Sequence, residues 1–333
     1  MRAIKDTDFL TSTMRVRCRE KYLFDRERVE RLIDARGDDE AIKVLNECGY
    51  GEMQSLSNAE LDRVLGQFRG ELYAFLEEIL PFDGMLDVFR VRYDYHNVKS
   101  LLKTSSIEDE GRGLLVPSGR VPADELYRAF VESDFSGLPG ELTEVILQAR
   151  ELLARTDDPQ KADFFLDKAC LEEMTALAKK TKSAFLTDYT RLYLDIQNLR
   201  ALVRSWRIGK DSAFLRSALV LGGYVGTEGI LLCLQENGSI SQLYAGTPLS
   251  ELSGEGEKVA KGDGVLTYFE KCCDNLLLEK VEENRHVSFG EQPVLAYLLL
   301  REAEMTMLRT VISGRLAGLS PGELREKLRL HYA

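Results

Sequence analysis

Residues 94–103 read DYHNVKSLLK, and residues 195–204 read DIQNLRALVR. Both stretches begin with an aspartate and place an asparagine three residues later, a cation two residues after that, and apolar residues at four shared positions. A weaker third copy, EMTMLRTVI at residues 304–312, keeps an acid, the cation and apolar positions but carries Met307 in place of the asparagine. Repetition at a spacing of about 100 residues predicts a chain built from similar units.

Each copy lies in a stretch with helical periodicity. Apolar residues that recur in steps of four and three lie on one face of an α-helix, which predicts a long helix around every copy. In the second copy this stripe is Phe185, Tyr189, Leu192, Ile196, Leu199, Val203 and Trp206. In the first copy it is Val88, Val91, Tyr95, Val98 and Leu102. In the third it is Val294, Leu298, Arg301, Met305, Leu308 and Ile312, with Arg301 out of pattern.

Helical patterns also cover most of the remaining chain, and strand signals are scarce, so we predict an all-α fold. The predicted helices are residues 25–35, 58–80, 122–131, 141–154, 159–180, 184–207, 266–283 and 293–313. Glycine-rich or charged breaks occur at residues 108–119, 222–229 and 252–264, and we predict that the last of these is a long mobile loop.

A second, shorter motif lies between the copies. Residues 115–121, LVPSGRV, resemble residues 219–225, LVLGGYV, and each is followed by an amphipathic stretch. Together with the long helices, this motif divides the chain into three helical domains: residues 1–110, 111–215 and 216–333.

The repeated acids, amides and cations are the candidate functional residues. An aspartate and an asparagine three positions apart lie on one face of a helix, where they could act as acid–base groups, as metal ligands, as partner contacts or as structural hydrogen-bonding groups. Their recurrence favours the structural interpretation, a polar link between each long helix and a neighbouring segment, with partner contact second. These residues are Asp94, Asn97, Lys99, Asp195, Asn198, Arg200, Glu304 and Arg309.

Other features exclude whole classes of function. The formal net charge of -11 argues against a broad nucleic-acid surface, and no uninterrupted apolar run is long enough for a membrane span. The N-terminus lacks a signal-peptide pattern, so we expect a cytosolic chain. Residues 204–212 fail the phosphate-loop pattern, because Arg204 replaces its first glycine and Asp211 its hydroxyl, and we interpret Gly209 as a helix-ending glycine. We predict no catalytic residue, no metal site and no cofactor.

The ordered set of motifs resembles the C subunit of archaeal and bacterial V/A-type ATPases, a family that includes the d subunit of the eukaryotic V-ATPase. The resemblance is carried by residues 89–103, by the second copy with Asp195, Asn198 and Arg200, and by the third copy. It extends to the turn at residues 48–51 and covers nearly the whole chain.

This resemblance implies three similar helical domains in a pseudo-threefold, funnel-like arrangement. It implies a non-catalytic rotor subunit that joins the central shaft, made of the D and F subunits, to the membrane proteolipid (c/K) ring during ATP-coupled proton or sodium transport. The chain would then be cytoplasmic, peripherally associated with the membrane, and without a membrane span of its own.

Two alternatives remain at this point. One is an unrelated all-helical repeat scaffold that binds other cytosolic proteins, although common helical repeats have periods of only about 34 to 47 residues. The other is an all-helical hydrolase or lyase that uses clustered acids and magnesium. Its candidate acids, residues 38–40 and 157–158, flank predicted turns, and we predict that they cap helices instead.

Overall fold

The computed structural model describes residues 4–51, 53–104 and 112–329. Within these residues the chain forms sixteen α-helices, two short 3-10 helices and no strand, which confirms the predicted all-α fold. The α-helices are α1 (Leu10–Glu20), α2 (Arg26–Ile33), α3 (Asp38–Glu47), α4 (Asn58–Ile79), α5 (Asp87–Thr104), α6 (Ala123–Glu132), α7 (Gly140–Thr156), α8 (Pro159–Thr181), α9 (Ala184–Arg207), α10 (Ser212–Ala218), α11 (Thr227–Gln235), α12 (Ile240–Leu243), α13 (Ser250–Ala260), α14 (Leu266–Arg285), α15 (Glu291–Leu316) and α16 (Pro321–Lys327).

The chain divides into two compact units. The first contains both ends of the sequence, Met1–Asp83 and Lys271–Ala333, and the second is the continuous stretch Gly84–Glu270. The division into three domains, which rests on the repeats, stays a prediction.

In the second unit, the long helices α5 and α9 both pack against α8, and α9 also packs against α13. Their apolar stripes are buried, as the periodicity predicted, except that Trp206 at the end of α9 is half-buried. In the first unit, α15 packs against α1, α2, α4 and α16. Nine consecutive residues, 293–301, are buried there, because this part of α15 is apolar on nearly every face.

Local capping sets several helix boundaries where the sequence placed them. The Ser57 hydroxyl accepts a hydrogen bond from the Glu60 N–H at 3.2 Å, and Asp158 caps α8 by accepting one from the Gln160 N–H at 3.1 Å. Residues 38–40 form the first turn of α3, where negative side chains stabilise the helix by interacting with its dipole. The acids considered for a magnesium enzyme therefore begin or end helices.

The prediction of a mobile loop at residues 252–264 is wrong. Most of this stretch is helix α13, followed by a turn. Its glycines allow close packing: a Cβ atom on Gly256 would lie 3.0 Å from Val203 and 3.1 Å from Phe269. The break predicted at residues 222–229 ends earlier, because α11 begins at Thr227. Part of the break at 108–119 lies outside the described residues.

Candidate functional site

The first candidate pair binds a loop by main-chain hydrogen bonds. Asn97 on α5 is fully buried, donates from Nδ2 to the Val116 carbonyl at 2.9 Å, and accepts at Oδ1 from the Val116 N–H at 2.8 Å. One side chain thus satisfies both polar groups of a residue that lies outside regular secondary structure. We call Asp94, Asn97 and residues 116–121 the first clamp.

Asp94 holds the other end of the same loop. Its Oδ1 accepts from the Val121 N–H at 3.1 Å, and its Oδ2 accepts from Arg120 Nε at 2.7 Å. Arg120 also contacts Glu173 on α8 at 2.7 Å. Burial would lower the pKa of Arg120, but its hydrogen bonds to Asp94 and Glu173 raise it. The guanidinium therefore stays charged and ties the loop to two helices.

The second clamp, formed by Asp195, Asn198 and residues 220–225, repeats this geometry on α9. Asn198 donates to the Val220 carbonyl at 2.8 Å and accepts from the Val220 N–H at 3.0 Å. Asp195 accepts from the N–H groups of Tyr224 and Val225, the latter at 3.5 Å. The loop residues held in the two clamps are 104 positions apart along the chain.

A glycine contacts the carboxylate in both clamps. A Cβ atom on Gly119 would lie 2.3 Å from Asp94 Oδ1, and one on Gly223 would lie 1.9 Å from Asp195 Oδ1. Neither position leaves room for a side chain. This contact explains the glycine shared by the motifs at residues 115–121 and 219–225.

The third copy holds a different kind of segment. Glu304 on α15 accepts from the Phe24 N–H at 2.7 Å and from the Tyr50 hydroxyl. Arg301, out of pattern in the apolar stripe, donates to Glu304 and, at 3.1 Å, to the Tyr22 carbonyl. Burial would lower the pKa of Arg301, but the neighbouring Glu304 carboxylate raises it. We call these five residues the third clamp.

Sequence reasoning missed the segment around Phe24. It precedes the third copy by about 280 residues, and residues 19–24, REKYLF, contain neither the glycine nor the pattern of the other loops. Met307, where the asparagine would stand, is buried. Arg301 makes the polar contact that the asparagine makes in the other copies, because it donates a hydrogen bond to the Tyr22 carbonyl. The signals in the sequence were Arg301, a charge in an otherwise apolar stripe, and the turn at residues 48–51, which contains Tyr50.

All three clamps hold the residue two positions before an amphipathic helix. Val121 precedes α6, Val225 precedes α11, and Phe24 precedes α2. The first two long helices hold the segment that follows them in the chain. The third, α15, holds a segment from near the start of the chain. In the order of the repeats, the third copy therefore contacts a segment that precedes the first copy.

The repeated cations follow the same order. Lys99 on α5 pairs with Asp167 on α8, and Arg200 on α9 pairs with Glu270 on α14 at 2.8 Å. Arg309 on α15 pairs with Asp62 on α4. Each cation thus contacts an acid on the helix just before the next long helix. For Lys99 that helix is α8, before α9, and for Arg200 it is α14, before α15. For Arg309 on the last long helix it is α4, which precedes α5. All eight candidate residues therefore lie in contacts that join successive repeats.

Comparison with known proteins adds independent evidence. The family model described as ATP synthase (C/AC39) subunit matches residues 13–327. The chain belongs to this family. The C subunit of the A-type ATP synthase of Methanocaldococcus jannaschii is 25% identical over 94% of this chain and 84% of its own length. The C subunit of the V-type sodium ATPase of Enterococcus hirae is 23% identical, covering 95% of this chain and 97% of the relative.

A further C/AC39 relative, the C subunit of the V-type ATP synthase of Thermus thermophilus, is 24% identical over 96% of this chain and 98% of its own length. Such coverage confirms the resemblance drawn from the three motifs. Membership in the C/AC39 family also excludes the interpretation as an unrelated repeat scaffold.

Residues 204–212, which fail the phosphate-loop pattern, contain the end of α9. Gly209 has a φ of 66° and ends α9, with the Lys210 N–H bound to the Ser205 carbonyl at 2.9 Å, as predicted for a helix-ending glycine. No cluster of three or more metal-ligating side chains occurs among the described residues. In the same residues, every helix is too short or too polar to cross a membrane.

Proposed function

We propose that this chain is a non-catalytic coupling subunit of a V/A-type rotary ATPase. It joins the central shaft, made of the D and F subunits, to the proteolipid (c/K) ring on the cytoplasmic side of the membrane, and it transmits torque during ATP-coupled proton or sodium transport. The observation that carries the proposal is the C/AC39 family match, which spans residues 13–327, together with relatives named as the C subunits of A-type and V-type enzymes.

The clamps support a mechanical role. A part that transmits torque must resist deformation where its segments join. At each clamp, a long packed helix carries a buried carboxylate that accepts hydrogen bonds from backbone N–H groups. Hydrogen bonds to charged groups contribute roughly 1.5–3 kcal/mol each. Since these carboxylates are already engaged by backbone and side-chain donors, their contacts favour a structural over a catalytic role.

The proposal includes three similar domains, residues 1–110, 111–215 and 216–333, in a pseudo-threefold, funnel-like arrangement. The order of the clamps and of the cation pairs supports it, because contacts that return from the last repeat to the first are those a closed set of three would make. A concave surface formed by such repeats would receive the foot of the shaft.

Reconstitution of the complex in lipid vesicles tests the proposal. Without this chain, the catalytic head should still hydrolyse ATP, since it has its own sites, but no ion gradient should form because torque does not reach the ring. Adding the folded chain should restore ion pumping, and adding the heat-denatured chain should not. Complexes that pump normally without the chain would contradict the coupling role.

A further inference from the structure

The first and second clamps differ in how their acid is held. In the first, Arg120 joins Asp94 to Glu173, so the loop is tied to two helices. At the equivalent position the second clamp has Tyr224, whose ring lies 3.9 Å from the Arg191 guanidinium. Within the described part of the chain, Asp195 accepts hydrogen bonds from backbone N–H groups alone.

A second buried polar group lies near this carboxylate. Tyr244 is fully buried, is close enough to Asp195 to interact electrostatically with it, and has no hydrogen-bond partner for its hydroxyl among the described residues. Burying a hydroxyl without a partner is unfavourable. Arg191 is near enough for its charge to act on Asp195, but it makes no direct ion pair with this carboxylate among the described residues. Entry of water would hydrate both groups.

In the first clamp, Ser118 Oγ and one Arg120 nitrogen also lack a hydrogen-bond partner among the described residues. The difference in stability between the two closed clamps therefore rests on the ion pairs of Arg120 with Asp94 and Glu173, which the second clamp lacks.

The two loops also differ in backbone stiffness. The first has Pro117 and Ser118 where the second has Leu221 and Gly222. Proline fixes φ, whereas Gly222, at φ 116°, and the following Gly223 leave the second loop free to rotate. Leu221 at its tip is 71% exposed, so packing does little to hold it.

We propose that residues 221–225 form a strap that opens from α9 while the equivalent residues 117–121 stay closed. Opening breaks the hydrogen bonds from Tyr224 and Val225 to Asp195 and leaves the Asn198 pair at Val220 in place. The second unit thus contains a compliant joint between long packed helices. The proposal rests on the two clamps and is independent of the coupling function.

Amide hydrogen exchange on the full chain, followed residue by residue by NMR, tests the strap. Protection factors correct for intrinsic exchange rates, and Val116 and Val220, both held by asparagines, serve as matched references. The Val225 amide should be protected at least about tenfold less than the Val121 amide, the factor that corresponds to one hydrogen bond to a charged group. Val116 and Val220 should agree within about threefold, which is less than the contribution of one such bond. Equal protection of Val121 and Val225 would overturn the proposal.

Exchanging the two residues sharpens the test. Tyr224→Arg should raise the protection of Val225 towards that of Val121, because it supplies the guanidinium that the second clamp lacks. Arg120→Tyr should lower the protection of Val121 by a similar factor. If Tyr224→Arg fails to fold, Arg120→Tyr decides the matter, since a folded Arg120→Tyr protein with unchanged Val121 protection would also refute the proposal.

Discussion

The second and third clamps hold equivalent backbone positions with different chemistry. The second uses an aspartate, an asparagine and a glycine, and its acid has no cation in direct contact among the described residues. The third uses a glutamate, an arginine and a tyrosine, all nearly fully buried, with no glycine in the segment that it holds. The shared feature of the repeat is therefore the backbone N–H before each amphipathic helix, while the side chains that bind it can change.

The largest effect should come from breaking the charge pair of the third clamp. Glu304→Ala leaves the Arg301 guanidinium, 2% exposed, without a counter-ion. Removing one partner of a buried ion pair costs roughly 3–5 kcal/mol. Urea unfolding followed by circular dichroism measures the loss of unfolding free energy.

A double variant controls for this loss. Arg301→Met with Glu304→Gln removes both charges and should be less destabilising than Glu304→Ala alone, because no charge is left unpaired. If Glu304→Ala lowers the unfolding free energy by less than about 1 kcal/mol, a value typical of exposed pairs, the third clamp is not the buried ion pair described here.

The next largest loss of stability should come from a substitution at Gly223 in the second clamp. Gly223→Ala places a Cβ atom 1.9 Å from the Asp195 carboxylate, and overpacking of this kind costs roughly 1–3 kcal/mol. Gly70→Ala is the matched control: it lies within α4 with no atom near its added methyl group, so it should stabilise by roughly 0.5–1 kcal/mol. Equal thermal unfolding temperatures for the two variants would show that the loop does not press on the carboxylate.

The pH dependence of stability should separate the acid of the second clamp from the rest of the protein. Burial raises the pKa of Asp195, and backbone hydrogen bonds from Tyr224 and Val225 oppose the shift. The folded protein therefore holds this proton more tightly than the unfolded chain does. Its contribution favours folding below the ordinary aspartate pKa and is lost as pH rises through the raised value.

Asp195→Asn should remove the pH-dependent contribution of Asp195 to stability. The difference in unfolding free energy between the parent and the variant should therefore change between the ordinary aspartate pKa and the raised pKa of Asp195. Chemical unfolding at closely spaced pH values between about 3.5 and 7, a range that starts near the ordinary aspartate pKa, gives the comparison. Parallel stability curves for the parent and Asp195→Asn would mean that the aspartate titrates as it does in the unfolded chain.

The smallest effect should come from the exposed cation pair of α15. Arg309 and Asp62 have side chains 54% and 59% exposed, and exposed pairs typically contribute below about 1 kcal/mol. Arg309→Ala should therefore unfold at nearly the parent temperature. Arg200→Ala, whose pair with Glu270 is mostly buried, should be clearly more destabilising. The reverse order would contradict the burial of these pairs.

Much of this arrangement is predictable from the sequence, because its causes are local. Helical periodicity identified the long helices, and the acids at residues 38–40 and 157–158 were correctly predicted to lie at helix ends. The paired motifs placed Asn97 and Asn198 at equivalent positions, but they did not show which loops these residues hold. The helix at residues 250–260 was missed because its glycines serve packing against residues distant in sequence. The partner of Glu304 was missed for the same reason: Phe24 carries no local pattern that links it to α15.

The central claim is that the repeated acid–amide motif stabilises the fold and does not itself bind a partner. The most direct test is to measure, for Asn198→Ala, both the unfolding free energy and the incorporation of the chain into the rotary complex. Loss of the two hydrogen bonds to Val220 should cost roughly 1–3 kcal/mol. Incorporation should fall only in proportion to the folded fraction. A variant that is as stable as the parent but no longer joins the complex would contradict the claim and identify the motif as a partner contact.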